Sequence, residues 1–393
     1  MSESFRSQGS RCAGSVRRAL SALAVVLTLG AATVEPARPD GLEALGGYLA
    51  HSCDFAANPW CRLPGDVTRS YLSRRQALEV SRNDTEAMAR LWGWGGPKET
   101  FGAWGSAAFD GRRLYFYGGG HHHYRGNDIK VYDLSTLEWS RLYDPAYVTA
   151  DTHPAGKKRF VPAQGPRSVH VYDGLVYEPG TNALYLWGLY TFSGWAFDLD
   201  VFAETGDPWQ AWQSFPMPDS NRPRPFRFFR TTLRADGKIL LQAGLASRGR
   251  GGSLVFDPES RRYWGPYDAL FALSALTTAG ERVFGVSPRG PLIEYDAAGR
   301  PLKEFDMPVG VAGEASAVHP ERGLLVLWDG GAETLAFDLK TGRFTQVATA
   351  AEGPKPLRRK NGPWGAWQYV AEHDIFVGLA EDADDTPSMW AYR

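Results

Sequence analysis

Three adjacent histidines, His121, His122 and His123, follow Gly118-Gly119-Gly120 and precede Tyr124-Arg125-Gly126-Asn127. Imidazole both ligates metals and exchanges protons near neutral pH, so the cluster offers a metal ligand or a general base. Neighbours on an extended chain point to alternate faces, so one or two of the three can face a common centre. The plain alternative is a hydrogen-bonded loop histidine that fixes the turn. His170 and Tyr172, just after Arg167, are expected in the innermost strand of the second four-strand unit, and Tyr190 at the end of that unit's second strand. Arg227 and Arg230 enter a strand pattern, where a buried guanidinium needs a partner. Lys360, Asn361 and Trp364 open the last repeat of the chain. A proton beside a carboxylate is removed only when a cation or hydrogen-bond donor stabilises the enolate-like intermediate. His123, His170, Tyr172 and Tyr190 are the candidate proton-handling groups, and Arg227 and Arg230 the candidate cations, for such a step. Arg125, Asn127, Arg167, Arg227, Lys360, Asn361 and Trp364 are the candidate ligand contacts. This chemistry requires no cofactor, and a divalent metal on His121, His122 or His123 stays open. Glycosidase chemistry would need two facing carboxylates; Glu99, Glu314 and Asp329 are present, but nothing marks a pair.

The elements that must position these groups recur. From about residue 100 the chain repeats a unit of four short strands. Ala103 to Phe109 leads to an Asp110-Gly111 turn, Leu114 to Tyr117 runs into the glycines, Ile129 to Leu134 carries Tyr132-Asp133, and Leu137 to Leu142 carries Trp139. The aromatic-Asp marker returns as Phe197-Asp198, Phe256-Asp257, Tyr295-Asp296 and Phe337-Asp338. Aspartate at that place starts a turn by accepting backbone hydrogen bonds. Trp139, Trp264 and Phe344 recur six or seven residues after the marker as fourth-strand core residues. Ile375 to Gly378 and Met389 to Tyr392 form a last copy without a fourth strand, so an N-terminal strand must close the ring or leave an open edge. Residues 66–72 are the expected closing strand, and residues 76–91 a short helix.

These features resemble Kelch-type propellers, the family that includes the central domain of galactose oxidase. The triple glycine, the later tryptophan and the repeat of about 40–60 residues carry the resemblance, over roughly residues 97–393. It implies an all-β fold, a single β-propeller of about six four-stranded blades with an N-terminal closing strand. A copper site of the galactose oxidase kind needs a cysteine within the blades, and none occurs there. There is also a distant likeness to propeller-fold polysaccharide lyases, the ulvan-type enzymes among them, in which a His and a Tyr move protons while Arg neutralises a uronate; this likeness implies His123 or His170 as base, Tyr172 or Tyr190 as acid and Arg227 or Arg230 on the carboxylate. Kelch-type folds equally serve as recognition modules.

In a propeller the connections between blades and the loops from second to third strands share one face. Long connections are expected at 145–167, 201–225 and 346–364, and loop length on a rigid scaffold is usually functional. Lys157, Lys158, Arg159, Arg222, Arg224, Arg248, Arg250, Lys355, Arg358 and Arg359 add positive charge to that face. The net charge is only −1. The composition therefore argues against nucleic acid as a partner, while a basic mouth favours an acidic polysaccharide or oligosaccharide. Ordinary solvated loop charge is the competing reading. The order Arg17-Arg18, apolar Ala19 to Leu29, then small Gly30 to Ala32 predicts a signal peptide over 1–32 and a secreted or periplasmic product with no remaining membrane span. Residues 33–96 then form an N-terminal segment. Cys53 and Cys61 would pair in an oxidising compartment.

Overall fold

The aromatic-Asp strands organise the molecule. In the computed structural model, which describes residues 41–102, 104–119, 123–152, 158–188, 193–218, 227–244, 250–270, 275–286, 290–308, 315–346, 352–357 and 364–393, six four-stranded antiparallel sheets form a β-propeller. Blade 1 comprises Ser106–Phe109, Arg113–Tyr117, Lys130–Asp133 and Glu138–Arg141. Blade 2 comprises Leu175–Glu178, Ala183–Leu186, Ser193–Asp198 and Trp212–Pro216. Blade 3 runs from Arg227–Leu233 to Arg262–Leu270, blade 4 from Ala275–Ala279 to Pro301–Phe305, and blade 5 from Ala315–His319 to Arg343–Gln346. Blade 6 takes Gln368–Val370, Ile375–Glu381 and Pro387–Tyr392 from the C-terminus and Trp60–Arg62 from the N-terminal segment.

One side-chain pattern builds most blades. The third-strand aromatic stands opposite a fourth-strand aromatic, with ring centroids 5.0 Å apart for Tyr132 and Trp139 and 4.7 Å for Phe256 and Tyr263. Phe337 and Phe344 repeat the pair at 4.9 Å, and Phe197 and Trp212 at 5.0 Å. Such pairs add about 0.5–1.5 kcal/mol beyond the area they bury. The aspartate after each marker then accepts the N–H two residues on, as from Ser135 at 2.8 Å and Lys340 at 2.8 Å. This turns the chain into the fourth strand. In blade 3, Tyr263 rather than Trp264 fills the expected place. A register shift between Ser253 and Val255 accompanies the change, and Trp264 is left 41% exposed.

The ring closes on an N-terminal strand, but not over residues 66–72. Trp60 stands opposite Tyr392, with centroids 4.8 Å apart, and extends the aromatic pattern to blade 6. Asp66 instead accepts hydrogen bonds from the N–H and hydroxyl of Thr68, which winds Val67–Ser70 into a 3-10 turn. A disulfide joins Cys53 to Cys61, tying the end of the helix Glu43–Ser52 to the closing strand. The expected helix over 76–91 is two helices, Arg74–Val80 and Thr85–Trp92. Ser73 and Gln76 form a capping box on the first, Asp84 caps the second, and the positive φ of Arg82 and Asn83 breaks the chain between them.

The innermost strands of neighbouring blades pack around an axial cavity of about 470 Å³. Small and hydroxylated residues line it, among them Ala107, Thr231, Thr277 and Ser316. Gly365, with φ +67°, lets blade 6 approach the Ala107 carbonyl so closely that a Cβ would overlap it. The connection after blade 2 is shorter than the expected 201–225. Leu199–Thr205 and Pro208–Ala211 are helices between strands three and four, on the opposite face, and the fourth strand ends only at Pro216.

Candidate functional site

Residues far apart in sequence meet where the connections between blades cross the axis. Trp104, just before blade 1, stacks on His170 with ring centroids 4.0 Å apart and planes 23° apart. The Nδ1 of His170 lies 3.1 Å from the Tyr172 hydroxyl. The guanidinium of Arg230, on the first strand of blade 3, lies 5.2 Å from the centre of the Tyr172 ring and 5.3 Å from that of Trp364. Tyr172 and Trp364 are themselves 5.4 Å apart. The cation is thus held against two aromatic rings, where the negative faces of the rings offset part of its lost hydration.

The backbone that presents these groups is unusual. Trp104 and Tyr172 have φ of +59° and +56°, a conformation rare for bulky residues. Each holds the other: the N–H groups of Val171 and Tyr172 both donate to the Trp104 carbonyl, at 2.8 and 3.0 Å. Strain of this kind persists only where surrounding contacts over-determine it, and it concentrates at functional sites. His170 and Tyr172 therefore do not lie in the innermost strand of blade 2, where the sequence reading expects them. That strand begins at Leu175, and the left-handed turn at Tyr172 keeps the preceding residues out of the ladder.

Asp173 completes the turn and faces the axial cavity. Its carbonyl accepts from the N–H and hydroxyl of Thr231, and its Oδ2 accepts from the N–H of Leu276 at 3.3 Å. Burial pushes its carboxyl up to about 7, against the opposing pull of Arg230 and the Leu276 N–H. A buried, raised carboxyl near an arginine at the axis makes Asp173 a candidate functional group. Sequence reading missed it because Tyr172-Asp173-Gly174 looks like another aromatic-Asp turn.

His123 also lies near Trp104, with ring centroids 6.3 Å apart and planes 60° apart. Its Nδ1 lies 3.3 Å from the Trp94 carbonyl and 3.1 Å from Oε2 of the buried Glu99. An acceptor and a negative charge at that nitrogen favour a proton on Nδ1 and make Nε2 the basic nitrogen of the neutral ring. The loop bearing His123 is anchored by a fully buried knot. The Lys130 ammonium lies 3.0 Å from Asp128, Tyr124 donates to Asp128 at 2.7 Å, and Lys130 stands 4.6 Å over the Tyr124 ring. Burial draws the Lys130 pKa down while Asp128 draws it back up.

Arg125 and Arg167 border this centre in sequence and lie close enough to repel. Burial, then the charges of Arg90 and Arg167, lower the pKa of Arg125. An anion placed among them would relieve that repulsion. Asn127 serves the loop instead, since its amide donates to the Gln164 carbonyl at 2.8 Å and accepts from the Ala146 N–H at 2.9 Å. With its side chain fully buried in loop backbone, Asn127 shapes the connection rather than meeting a ligand.

Of the expected site residues, the structure brings together His123, His170, Tyr172, Arg230 and Trp364. Arg227 opens the first strand of blade 3, but its side chain lies outside what is described. His121, His122, Tyr190, Lys360 and Asn361 lie outside the described residues, as does Glu314. So do most of the basic loop residues, whereas Lys355 is held near Asp385 at 3.9 Å. Asp329 turns its Oδ1 to the Gly331 N–H at 2.8 Å, a turn role in blade 5. Trp104, Asp173 and the 93–99 segment are the additions. Among the described residues no group of three or more His, Cys, Asp and Glu is placed to hold a metal ion, and no helix is long and apolar enough to cross a membrane. No protein-family model matches the chain, and no curated protein matches it in sequence. The fold and the site define a six-bladed β-propeller with a histidine-tyrosine-arginine centre at one mouth of its axis.

Proposed function

We propose that the chain is an exported propeller that takes an acidic polysaccharide at this mouth and cleaves it by β-elimination. The observation that carries the proposal is the convergence of the His170-Tyr172 hydrogen bond with Arg230, with both His170 and His123 near the Trp104 ring. Arg230 receives the uronate carboxylate and stabilises the negative charge that develops on it. Nε2 of His123 takes the proton from the carbon next to the carboxylate, while Glu99 and the Trp94 carbonyl hold Nδ1. The electron pair of that C–H bond becomes the new double bond, and the pair of the C–O bond leaves with the glycosidic oxygen. Tyr172 gives its proton to that oxygen while His170 hydrogen-bonds the resulting phenolate; His123 then releases its proton to water and the phenolate takes one back, which restores both groups. Export is supported by the charged, apolar, small-residue order of residues 17–32 and by the Cys53–Cys61 disulfide.

A second reading, a glycan- or protein-binding module of the cell envelope without chemistry, is favoured by the burial of His170 and Arg230, which are 4% and 6% exposed. One experiment separates the two. The purified protein is incubated with uronate-containing and neutral polysaccharides while the ultraviolet absorbance of an unsaturated uronate is followed. Absorbance that rises with a uronate polymer alone supports elimination. A flat trace with salt-sensitive retention of the same polymer supports binding. A flat trace without retention overturns both glycan readings.

A further inference from the structure

Most large aromatic side chains of the protein are packed into blades, but Trp94 is 75% exposed. The segment that carries it is tightly built. Gly93, Gly95 and Gly96 all have positive φ, and a side chain at Gly95 or Gly96 would run into Glu99 or Trp92. The Trp94 carbonyl faces the His123 ring nitrogen at 3.3 Å. A constrained backbone thus presents an exposed indole on a residue whose own carbonyl touches the candidate base. Exposing so large an apolar surface opposes folding, and single exposed aromatics fixed on a rigid loop beside a polar site suit a ligand that is apolar on one face.

A pyranose ring has that character. Its axial C–H bonds form a weakly positive apolar face, which complements the negative face of an indole, while its hydroxyls and carboxylate project from the edge. We infer that Trp94 forms a stacking subsite for a sugar ring that lies beyond the one held by Arg230. This rests on the proposed glycan reading and deepens it: the ligand is a chain that spans both subsites, with its anionic group toward Arg230 and a neighbouring ring on the indole. Specificity for length would then reside at Trp94, and specificity for charge at Arg230.

The test uses uronic-acid oligosaccharides, from disaccharide to hexasaccharide, titrated calorimetrically against the full chain and its Trp94→Ala and Trp94→Phe variants. The indole is exposed, so both variants should fold as the parent does, which circular dichroism verifies. The inferred subsite predicts that Trp94→Ala weakens the hexasaccharide about tenfold, leaves the disaccharide unchanged, and is partly rescued by phenylalanine. Equal hexasaccharide affinity in parent and Trp94→Ala would overturn the subsite while leaving the glycan reading intact. Equal weakening at every length would also overturn it, by placing Trp94 at the first ring. If the parent binds none of the oligosaccharides, the glycan reading falls and the subsite with it.

Discussion

Asp173 is held between two demands. Its backbone joins blade 2 to blade 3 through Thr231, and its carboxyl is buried at the axis near Arg230. Its folded pKa of about 7 stands above the ordinary value of 3.8, so the folded protein keeps a proton that the unfolded chain releases. Below about pH 4 the carboxyl is neutral in both states. Between about 4 and 7 the unfolded state alone gains the benefit of ionisation, and stability falls as pH rises; above about 7 the penalty is constant. Urea denaturation of the parent and Asp173→Asn across this range should show the variant gaining relative stability from about pH 4 to 7. The pull of Arg230 acts only on the ionised carboxyl and is already contained in its folded pKa, so only differences between Asn and the neutral carboxyl add an offset rather than a slope. Parallel stability curves would show that Asp173 does not titrate in that window. The sequence displayed the histidines, Tyr172 and Arg230, because those residue types carry chemistry wherever they stand. It concealed Asp173, which shares its local pattern with five turn aspartates, and Trp104, whose left-handed backbone depends on contacts with residues 171 and 172.

At the scale of elements, the facing aromatics of the third and fourth strands were legible wherever the turn between them was short. The helices at 199–211 hid the Phe197-Trp212 pair, and in blade 3 the adjacent Trp264 masked Tyr263, which holds the regular place opposite Phe256 as Trp139 does opposite Tyr132. Ring closure was legible as a need, since the last copy lacks a strand, but its location was not. Residues 66–72 include strand-favouring Val67, Thr68 and Tyr71, yet Asp66 stabilises a tight turn there, whereas the three-residue strand at Trp60 is too short for periodicity to show. Trp60 lies against Trp328, Trp367 and Tyr392, and its ring N–H donates to the Ala332 carbonyl at 3.0 Å. Trp60→Ala removes these contacts and leaves a cavity at the closure, so it should lower unfolding free energy by about 3–5 kcal/mol in urea denaturation. A loss below about 1 kcal/mol would mean that blade 6 does not depend on this strand.

Across the whole molecule, the ring brings His123, His170, Tyr172, Arg230 and Trp364 to one mouth although they come from four blades and their connections. Loop length and charge pointed to that face. The particular contacts came from two left-handed residues and from the segment before blade 1, features that no repeat pattern encodes. Proton transfer at this centre, on which the proposed activity depends, is tested most directly by Tyr172→Phe. That change removes one hydroxyl and keeps the ring that Arg230 rests on. With a uronate polymer that the parent cleaves, the variant should retain binding while its rate of unsaturated-product formation falls by about 10²–10⁴-fold. An undiminished rate in Tyr172→Phe would contradict proton transfer by this pair.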